Sequence, residues 1–186
     1  MDLILASNSP RRAWVLRCAG VVHRVVVAGV DETRLPGEPP DACALRLAQL
    51  KRDAVMRLAP QAVVLAADTV VALDGDVLEK PRDVEEAKAL LKRLSGRSHH
   101  VHTAVAAGGP LRQAAVTVTT QVTFRALQDA EVERYVATGE PMDKAGAYGI
   151  QGDGGALVDT VTGSYTAVVG LPVREALELL ARVTSP

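Results

Sequence analysis

The sequence is poor in aromatic residues: phenylalanine, tryptophan and tyrosine together make up 3% of its 186 residues. Proteins that bind single-stranded nucleic acid without sequence preference stack the bases on several aromatic side chains, so this class is not expected. The formal net charge is −1, which gives no overall field that would attract DNA, RNA or an anionic membrane. Any site for an anion must therefore be built from a few local cations.

Cysteines and long apolar runs are also scarce. The spacing of Cys18 and Cys43 matches neither a CxxC pair nor a disulfide-dense framework, so both are predicted to be buried helical side chains. Apolar runs such as residues 62–67 (AVVLAA) are far shorter than the roughly 20 residues of a membrane-spanning helix. The N-terminal "MDLILASNSPRR" does not resemble a signal peptide. We therefore expect a single domain over residues 1–186, located in the cytoplasm.

Helical and strand patterns alternate along the chain. Helices are predicted over residues 10–19, 42–59, 83–96, 129–139 and 172–183. Strands are predicted at residues 3–6 and 21–28, from 62 to 80 with a turn at "DGD", in a hairpin over 99–127 with a turn at "GGP", and after residue 155, followed by a turn. This alternation with one long hairpin predicts an α/β fold in which helices cover a mixed sheet.

Two adjacent arginines, Arg11 and Arg12, follow a Ser–Asn–Ser–Pro turn directly after the first predicted strand. Ser9 is a candidate N-cap and Pro10 a candidate first helical residue. Both arginines would then lie in the first turn of a helix, where the helix dipole disfavours cations. An anion held by the guanidinium and backbone N–H groups would remove this conflict. Two explanations stay open: charge that faces solvent, or an anion site.

Acidic residues stand at two points where a ligand could bind. Asp68 ends an apolar run, so it is expected near the end of a buried strand, where α/β sheets bind ligands. It could bind a metal or activate water, or it could be a turn or capping aspartate. The adjacent Thr69 could hydrogen-bond a ligand. If Glu32, in an acidic loop, meets Asp68, the two carboxylates would suit Mg²⁺.

Two lysines complete the candidate charged set. Lys51 lies in the helix after the acidic loop, and Lys80 precedes a proline at the end of a predicted strand. Each alone could be an ordinary surface charge. Together with the two arginines they would form a cradle for a polyanion beside a metal site, which is the arrangement that phosphoryl transfer requires.

The segment 144–152 (KAGAYGIQG) is rich in glycine. Glycine allows a backbone to approach a flat ligand closely, and the amide of Gln151 offers both donors and an acceptor to the edge of a base. The alternative is an ordinary glycine-rich loop. A zinc site is not expected at His99, His100 and His102, because strand alternation sends His99 to the opposite face from the other two.

These segments together resemble the Maf family of nucleotide pyrophosphatases over nearly the whole chain. The resemblance is carried, in order, by "LASNSPRR", "DE" at 31–32, "RLAQLKRDA", "AADTVV", "LEKPRD", "LLKRLSGRSHHVHTAV", "GEPMDKAGAYGIQG" and "GSYTAVVGLP". It implies a mixed, twisted central β-sheet with flanking helices, in two lobes around an active-site cleft, as in Maf and inosine triphosphate pyrophosphatase-like proteins. It also implies hydrolysis of a nucleoside triphosphate to the monophosphate and pyrophosphate. "KAGAYGIQG" is similar to the branch that acts on dTTP and UTP.

The resemblance also implies roles for individual residues. Asp68 matches the acid that accepts a proton, and the positions linked to substrate choice are matched by Arg11, Thr69 and Gln151. Other active-site positions are matched by Arg12, Glu32, Lys51 and Lys80. From these matches we expect phosphate binding by Arg12, Lys51 and Lys80, and metal binding by Glu32 and Asp68.

The family uses a divalent cation, here expected to be Mg²⁺ or Mn²⁺, and is often dimeric. The expected partners are the nucleotide and a second copy of the chain, with no nucleic acid or membrane. Clearing non-standard nucleotides is the cellular role that this activity suggests. Two alternatives stay open: a pyrophosphatase for 7-methyl-GTP or another modified nucleotide, and a nucleotide-binding regulator of cell division or septum formation.

Overall fold

The computed structural model describes residues 2–27 and 29–185, which are built around one mixed β-sheet of seven strands. The strands are β1 (Leu3–Leu5), β2 (Arg24–Val25), β3 (Val63–Leu73), β4 (Asp76–Leu78), β5 (Ser98–Gly108), β6 (Gln113–Phe124) and β7 (Val158–Thr162). They lie in the order β2-β1-β3-β5-β6-β7, and β4 pairs with β3. β1 is parallel to both neighbours, whereas β3, β5, β6 and β7 pair antiparallel in turn. The predicted mixed sheet is confirmed.

Helices cover both faces of this sheet. They are α1 (Pro10–Cys18), α2 (Pro40–Leu58), α3 (Val84–Leu94), α4 (Asp129–Ala137), α5 (Tyr165–Val169) and α6 (Val173–Thr184). α2 packs on one face, and α1, α3, α4 and α6 pack on the other. Across residues 2–27 and 29–185, every helix is too short or too polar to span a bilayer. The predicted α/β class with flanking helices is confirmed.

Helix starts show where local sequence signals act. The predicted N-cap Asp83 accepts a hydrogen bond from the Glu86 N–H at 2.8 Å, and α3 begins directly after it. Ser9 holds the N-cap position of α1 as predicted, but its side chain makes no capping hydrogen bond. The first N–H groups of α1 are therefore left without a side-chain acceptor from the cap.

Several local predictions are wrong. The strand predicted over residues 21–28 shortens to Arg24–Val25, because this segment pairs only with the short β1 at the edge of the sheet. Its last predicted residue, Ala28, lies outside the described residues. The segment after β7 contains the short helix α5 where only a turn is predicted. Cys18 is exposed at the end of α1, whereas Cys43 is buried as predicted.

One face of β3 and β5 carries two apolar clusters with a polar break between them. The first cluster packs under α1 and α6 and includes Leu65. The second packs under α3 and α4 and includes Val71. Between them stand Thr69 and Thr103, which face each other directly across the strand pair. The two clusters are the cores of two lobes, and the cleft opens at the break.

β3 is bare along part of one edge. β1 pairs with it up to Leu65, and β4 pairs with it from Val71. Among the described strands, none borders residues 66–70 on that side, although β5 pairs with them on the other. Asp68 therefore lies within a continuous strand, not near its end as predicted, because the β-branched residues after it keep the chain extended. Asp68 and Thr69 leave β3 on opposite faces, yet both line the cleft at this gap.

His99 is a buried polar residue of the second lobe. Its side chain is 1% exposed, its Nε2 lies 2.8 Å from the Tyr148 Oη, and its ring meets the Phe124 ring edge to face. His100 and His102 lie on the opposite face of β5, as strand alternation predicts. Burial is the main cause that lowers the pKa of His99 to about 4. The residue is therefore neutral in the folded protein at neutral pH.

This histidine makes stability depend on pH. The pKa of His99 is near 6.5 in an unfolded chain and about 4 in the folded one, so the unfolded chain binds more protons between these values. Stability is therefore lost as pH falls from about 6.5 toward about 4. We expect the free energy of unfolding in urea to fall by about 1.5 kcal/mol through His99 between about pH 6.5 and pH 5. A His99→Gln variant should lack this component, and the same pH dependence in both proteins would contradict the prediction.

Candidate active site

A cleft of about 310 Å³ opens between the two lobes. All of the residues that the sequence nominates for a site line it: Arg11, Arg12, Glu32, Lys51, Asp68, Thr69, Lys80 and Gln151. They come from segments far apart in the chain, so their meeting is a result of the fold.

Two carboxylates meet at one lysine in this cleft. The Lys51 Nζ, on α2, lies 2.6 Å from Asp68 Oδ1 and 2.6 Å from Glu32 Oε2. The Lys51 and Asp68 side chains are 14% and 10% exposed, whereas Glu32 is 57% exposed. The pair of Lys51 and Asp68 is thus largely withdrawn from water. Two charges interact more strongly in such a buried position than at an exposed surface. Asp68 Oδ2 accepts no hydrogen bond from the described residues and can accept one from water.

The same two carboxylates are the predicted metal ligands. Within residues 2–27 and 29–185, no three His, Cys, Asp or Glu side chains are grouped so as to hold a metal ion. A pair of carboxylates nevertheless suits Mg²⁺, which commonly takes its remaining ligands from water and substrate phosphates. Glu32 and Asp68 therefore fit a cation that binds together with a phosphorylated substrate, and they do not form a closed cage.

Arg12 is held in place by neutral acceptors. Its Nε donates to the Gly170 carbonyl oxygen at 2.9 Å, and its terminal nitrogens donate to Ser7 Oγ at 3.0 Å and Thr69 Oγ1 at 3.3 Å. It forms no ion pair with the carboxylates of the described chain. Burial lowers the pKa of Arg12, and the charge of Asp68 partly opposes this shift; an arginine remains charged at neutral pH. A fixed, unpaired guanidinium of this kind suits a phosphate.

A chain of hydrogen bonds runs from Arg12 through Thr69 and Thr103, and the donor and acceptor in each bond can be assigned. The Thr103 hydroxyl donates its only proton to the Ala167 carbonyl oxygen at 2.7 Å. The Thr103 oxygen, 3.1 Å from Thr69 Oγ1, must therefore accept, and Thr69 is the donor. Thr69 in turn accepts from Arg12. Its proton is thus committed to Thr103, so Thr69 can offer a ligand a lone pair but not a proton.

Arg11 points to a different wall of the cleft from Arg12. Its Nη1 lies 3.6 Å from Asp143 Oδ2, and Lys144 Nζ donates to Asp143 Oδ1 at 2.7 Å. Burial alone would raise the pKa of Asp143, but the hydrogen bond from Lys144 and the charges of Lys144 and Arg11 lower it overall. Arg12 is therefore anchored beside β3, whereas Arg11 contacts the segment that leads to Gln151.

Cations outnumber carboxylates in the lining. The three carboxylates belong to Glu32, Asp68 and Asp143, and the five cations are Arg11, Arg12, Lys51, Lys80 and Lys144. Lys80 is exposed at the rim, shortly after β4. Because the formal net charge of the chain is −1, this positive field is local. It favours a polyanionic ligand.

The glycines of the Gln151 segment make room for the protein's own side chains. A Cβ at Gly152 would lie 2.3 Å from Glu140 Oε2, and a Cβ at Gly149 would lie 2.6 Å from Lys144 Cε. The glycines are predicted to let the backbone approach a flat ligand. This explanation is wrong for Gly149 and Gly152, because the space that their side chains would fill is occupied by Lys144 and Glu140. Gln151 itself is exposed and lines the cleft.

Sequence reasoning missed several residues of the cleft. Lys144 and Asp143 line it, although the segment 144–152 is noted only for its glycines and Gln151, and Asp143 lies just before that segment. Their adjacent opposite charges were the available signal. Ser7 belongs to the "SNSPRR" turn, but its role as an acceptor for Arg12 depends on the folded shape of that turn. Thr103 carried no local signal, since its contacts come from strand pairing.

Comparison with known proteins gives relatives that span nearly the whole chain. Residues 2–183 match a family model described as Maf, Maf-like protein. A curated dTTP/UTP pyrophosphatase of Escherichia coli O157:H7 is 51% identical over 181 residues, which cover 97% of this chain and 92% of that protein. A protein of the same name from Yersinia pestis is 52% identical over 180 residues, which cover 96% and 91%. Among solved structures, the Ham1 protein of Staphylococcus aureus aligns over 67% of this chain and 72% of its own, with a TM-score of 0.48 and 18% identity.

Proposed function

The chain belongs to the Maf family, and we propose that it hydrolyses nucleoside triphosphates, with dTTP and UTP as substrates, to the nucleoside monophosphate and pyrophosphate. One observation carries this proposal: the withdrawn pair of Asp68 and Lys51 lines the same cleft as the unpaired guanidinium of Arg12. A proton acceptor beside cations that hold phosphates is what phosphoryl transfer requires. The two named relatives support the choice of substrates.

In the proposed reaction, a water molecule attacks the α-phosphorus, and the bond from that phosphorus to the oxygen it shares with the β-phosphate breaks. Asp68 orients the water and takes its proton at Oδ2, while Oδ1 stays bonded to Lys51. Arg12, Lys51 and Lys80 hold the phosphates and stabilise the negative charge that collects on the departing pyrophosphate. Water thus supplies the oxygen that the monophosphate gains.

Glu32 and Asp68 are the proposed ligands of a divalent cation, Mg²⁺ or Mn²⁺. When bound, the cation would neutralise part of the triphosphate charge. The lining supports this assignment, because two carboxylates and substrate oxygens together form a donor set that Mg²⁺ accepts. The oligomeric state stays a prediction of the family resemblance, and the cytoplasmic location stays a prediction from the N-terminal sequence and the short apolar runs.

Base selection follows from the donors and acceptors on the Gln151 side of the cleft. Uracil and thymine present an N3–H between two carbonyl oxygens, and the Gln151 amide can accept from N3–H and donate to O4. A glutamine could turn its amide to suit cytosine, so it does not discriminate alone. Arg11, which only donates, would repel the cytosine amino group. A site that leaves polar groups unpaired rejects the wrong base strongly.

The proposed function is tested by a triphosphate panel with pyrophosphate as the detected product. The panel contains dTTP, UTP, CTP, ATP, GTP and 7-methyl-GTP, each with and without Mg²⁺. Turnover of dTTP and UTP with release of pyrophosphate is expected, together with loss of activity when a chelator removes the cation. A preference for 7-methyl-GTP would support the alternative specificity, and equal turnover of CTP and UTP would exclude the base-selection scheme.

A Gln151→Ala variant is expected to lower the ratio of kcat/KM for UTP to that for CTP by about tenfold, because the base is then no longer held against Arg11, which rejects the cytosine amino group. The matched control is Gln121→Ala, which removes an exposed glutamine from β6 outside the cleft. The ratio should stay at the wild-type value in this control. An unchanged ratio in Gln151→Ala would remove Gln151 from base selection.

A further inference from the structure

The backbone of the loop that carries Gln151 is hydrogen-bonded to two side chains, those of Tyr135 and Glu140. The Gly149 N–H donates to Tyr135 Oη at 3.0 Å, and the Tyr135 hydroxyl donates to Glu140 Oε1 at 2.9 Å. Beyond Gln151, the Asp153 N–H donates to Glu140 Oε2 at 3.0 Å. Burial, with further help from Glu140, raises the pKa of Tyr135, so its hydroxyl keeps the proton that it donates. Tyr135 and Glu140 thus bind the backbone on both sides of Gln151.

Glu140 is itself fixed at its backbone. Its N–H donates to Thr138 Oγ1 at 3.1 Å, and its carbonyl oxygen accepts from Lys144 Nζ at 2.5 Å. Tyr135 is 4% exposed on α4 and packs in the second apolar cluster. The two side chains are therefore rigid supports that join the loop to the core of one lobe.

The glycines of the loop fit against these supports. A Cβ at Gly152 would lie 2.3 Å from Glu140 Oε2, and a Cβ at Gly154 would lie 2.5 Å from Tyr135 Oη. A side chain at either position would displace the Glu140 or Tyr135 side chain, or the loop itself, and so disturb the contact. The glycine pattern of this segment therefore serves the contact with Tyr135 and Glu140.

Gln151 has no other attachment in the described part of the chain. Its side chain is exposed and makes no hydrogen bond to the described residues, although it lines the cleft. The region of the cleft that its amide can reach is therefore set by the backbone that carries it. That backbone is set at Gly149 and at Asp153, on either side.

We propose that Tyr135 and Glu140 are positioning residues for base selection. They hold the backbone on both sides of Gln151, so that its amide can reach the base. This inference rests on the proposed function, because it concerns the specificity of the same site. Neither residue contacts the substrate in this scheme. Both act through the loop, and neither is among the residues that anchor Arg12.

The test compares Tyr135→Phe and Glu140→Gln with the wild type in steady-state kinetics on UTP and CTP. Tyr135→Phe removes one hydroxyl and keeps the ring, whereas Glu140→Gln replaces one accepting oxygen by a donor group. We expect the ratio of kcat/KM for UTP to that for CTP to fall by about threefold to about tenfold, no further than in Gln151→Ala, because both residues act through the placement of Gln151. Inhibition by pyrophosphate should stay unchanged, because the proposed phosphate-binding residues Arg12, Lys51 and Lys80 are not attached to the loop.

Two matched variants control for general damage. Tyr165→Phe removes a hydroxyl from a tyrosine that is 49% exposed and lies outside the cleft. Glu131→Gln alters a carboxylate near α4's start that accepts hydrogen bonds from Arg125 and from the Gln128 N–H, but none from the loop. Both controls should keep the wild-type ratio of UTP to CTP.

A second measurement approaches the same contact from the loop. Gly152→Ala should lower the UTP-to-CTP ratio in the wild-type background, because its Cβ would collide with Glu140 Oε2. In a Glu140→Ala background the collision is gone, so Gly152→Ala should add little further effect. This non-additivity would establish that the two residues act through one contact, even if Tyr135→Phe fails to fold.

The outcomes separate this inference from the proposed function. A wild-type protein that hydrolyses no triphosphate overturns both. A wild type that prefers UTP, with variants that fold and keep the same preference, overturns only the positioning roles. Equal losses on UTP and CTP together with weaker inhibition by pyrophosphate would also overturn them, because that result indicates damage to the whole cleft.

Discussion

An Asp68→Asn variant is expected to fold and to lose triphosphate hydrolysis by a factor of about 10² to 10⁴. Asparagine has nearly the same shape, but its amide cannot take a proton from water. It also replaces a charge that lies 2.6 Å from Lys51 Nζ in a largely buried pair. The measurement is kcat on UTP with pyrophosphate detection, beside circular dichroism and thermal unfolding to confirm the fold.

Asp159→Asn is the matched control for this variant, because Asp159 is exposed on β7 and lies outside the cleft. It should keep wild-type turnover. A folded Asp68→Asn protein with normal turnover would remove Asp68 from the mechanism. If the chain instead altered cell division equally well with and without Asp68, the regulator alternative would replace the enzymatic one.

An Arg12→Lys variant is expected to lower kcat/KM on UTP by a factor of about 10² to 10³, although the positive charge is kept. The guanidinium uses three nitrogens to reach Gly170, Ser7 and Thr69 at once. A lysine has one nitrogen and cannot hold that geometry, so its charge is no longer fixed against the phosphates. The loss should exceed that of removing either side-chain acceptor, the Ser7 or the Thr69 hydroxyl.

Arg17→Lys provides the comparison, because Arg17 is exposed in the last turn of the same helix and lies outside the cleft. That change should leave kcat/KM near the wild-type value. An Arg12→Lys protein with full activity on UTP would show that a diffuse positive charge is sufficient there. The geometry of the three hydrogen bonds would then have no catalytic importance.

Much of the fold could be predicted because local signals and packing agree. The alternating β-branched pattern predicts the hairpin of β5 and β6, and Asp83 predicts the start of α3. The edge strand β2 is much shorter than predicted, because its length depends on the partner beside it. The helix α5 is too short to show a helical period, so only its hydrogen bonds in the folded chain reveal it.

The sequence could predict which residues line the cleft, but it could not predict the contacts that each residue makes there. Charge and residue type single out Asp68, Lys51 and Arg12. That Lys51 bridges two carboxylates, and that the proton of Thr69 is committed to Thr103, follows only from where α2 and β5 place those side chains. Such pairings join residues far apart in the chain, and no local pattern encodes them.

The gap along β3 affects both the stability of the sheet and access to the cleft. Residues 66–70 have no neighbouring strand on one side among the described strands, and Asp68 and Thr69 line the cleft there. If β1 continued past Leu5, or if β4 continued past Leu78, a neighbouring strand would cover residues 66–70. The extra ladder would gain hydrogen bonds and seal the entrance to Asp68. A lengthening insertion at either strand is therefore a change that would strengthen the fold and disable the enzyme, and the shortness of these two strands is a condition of activity.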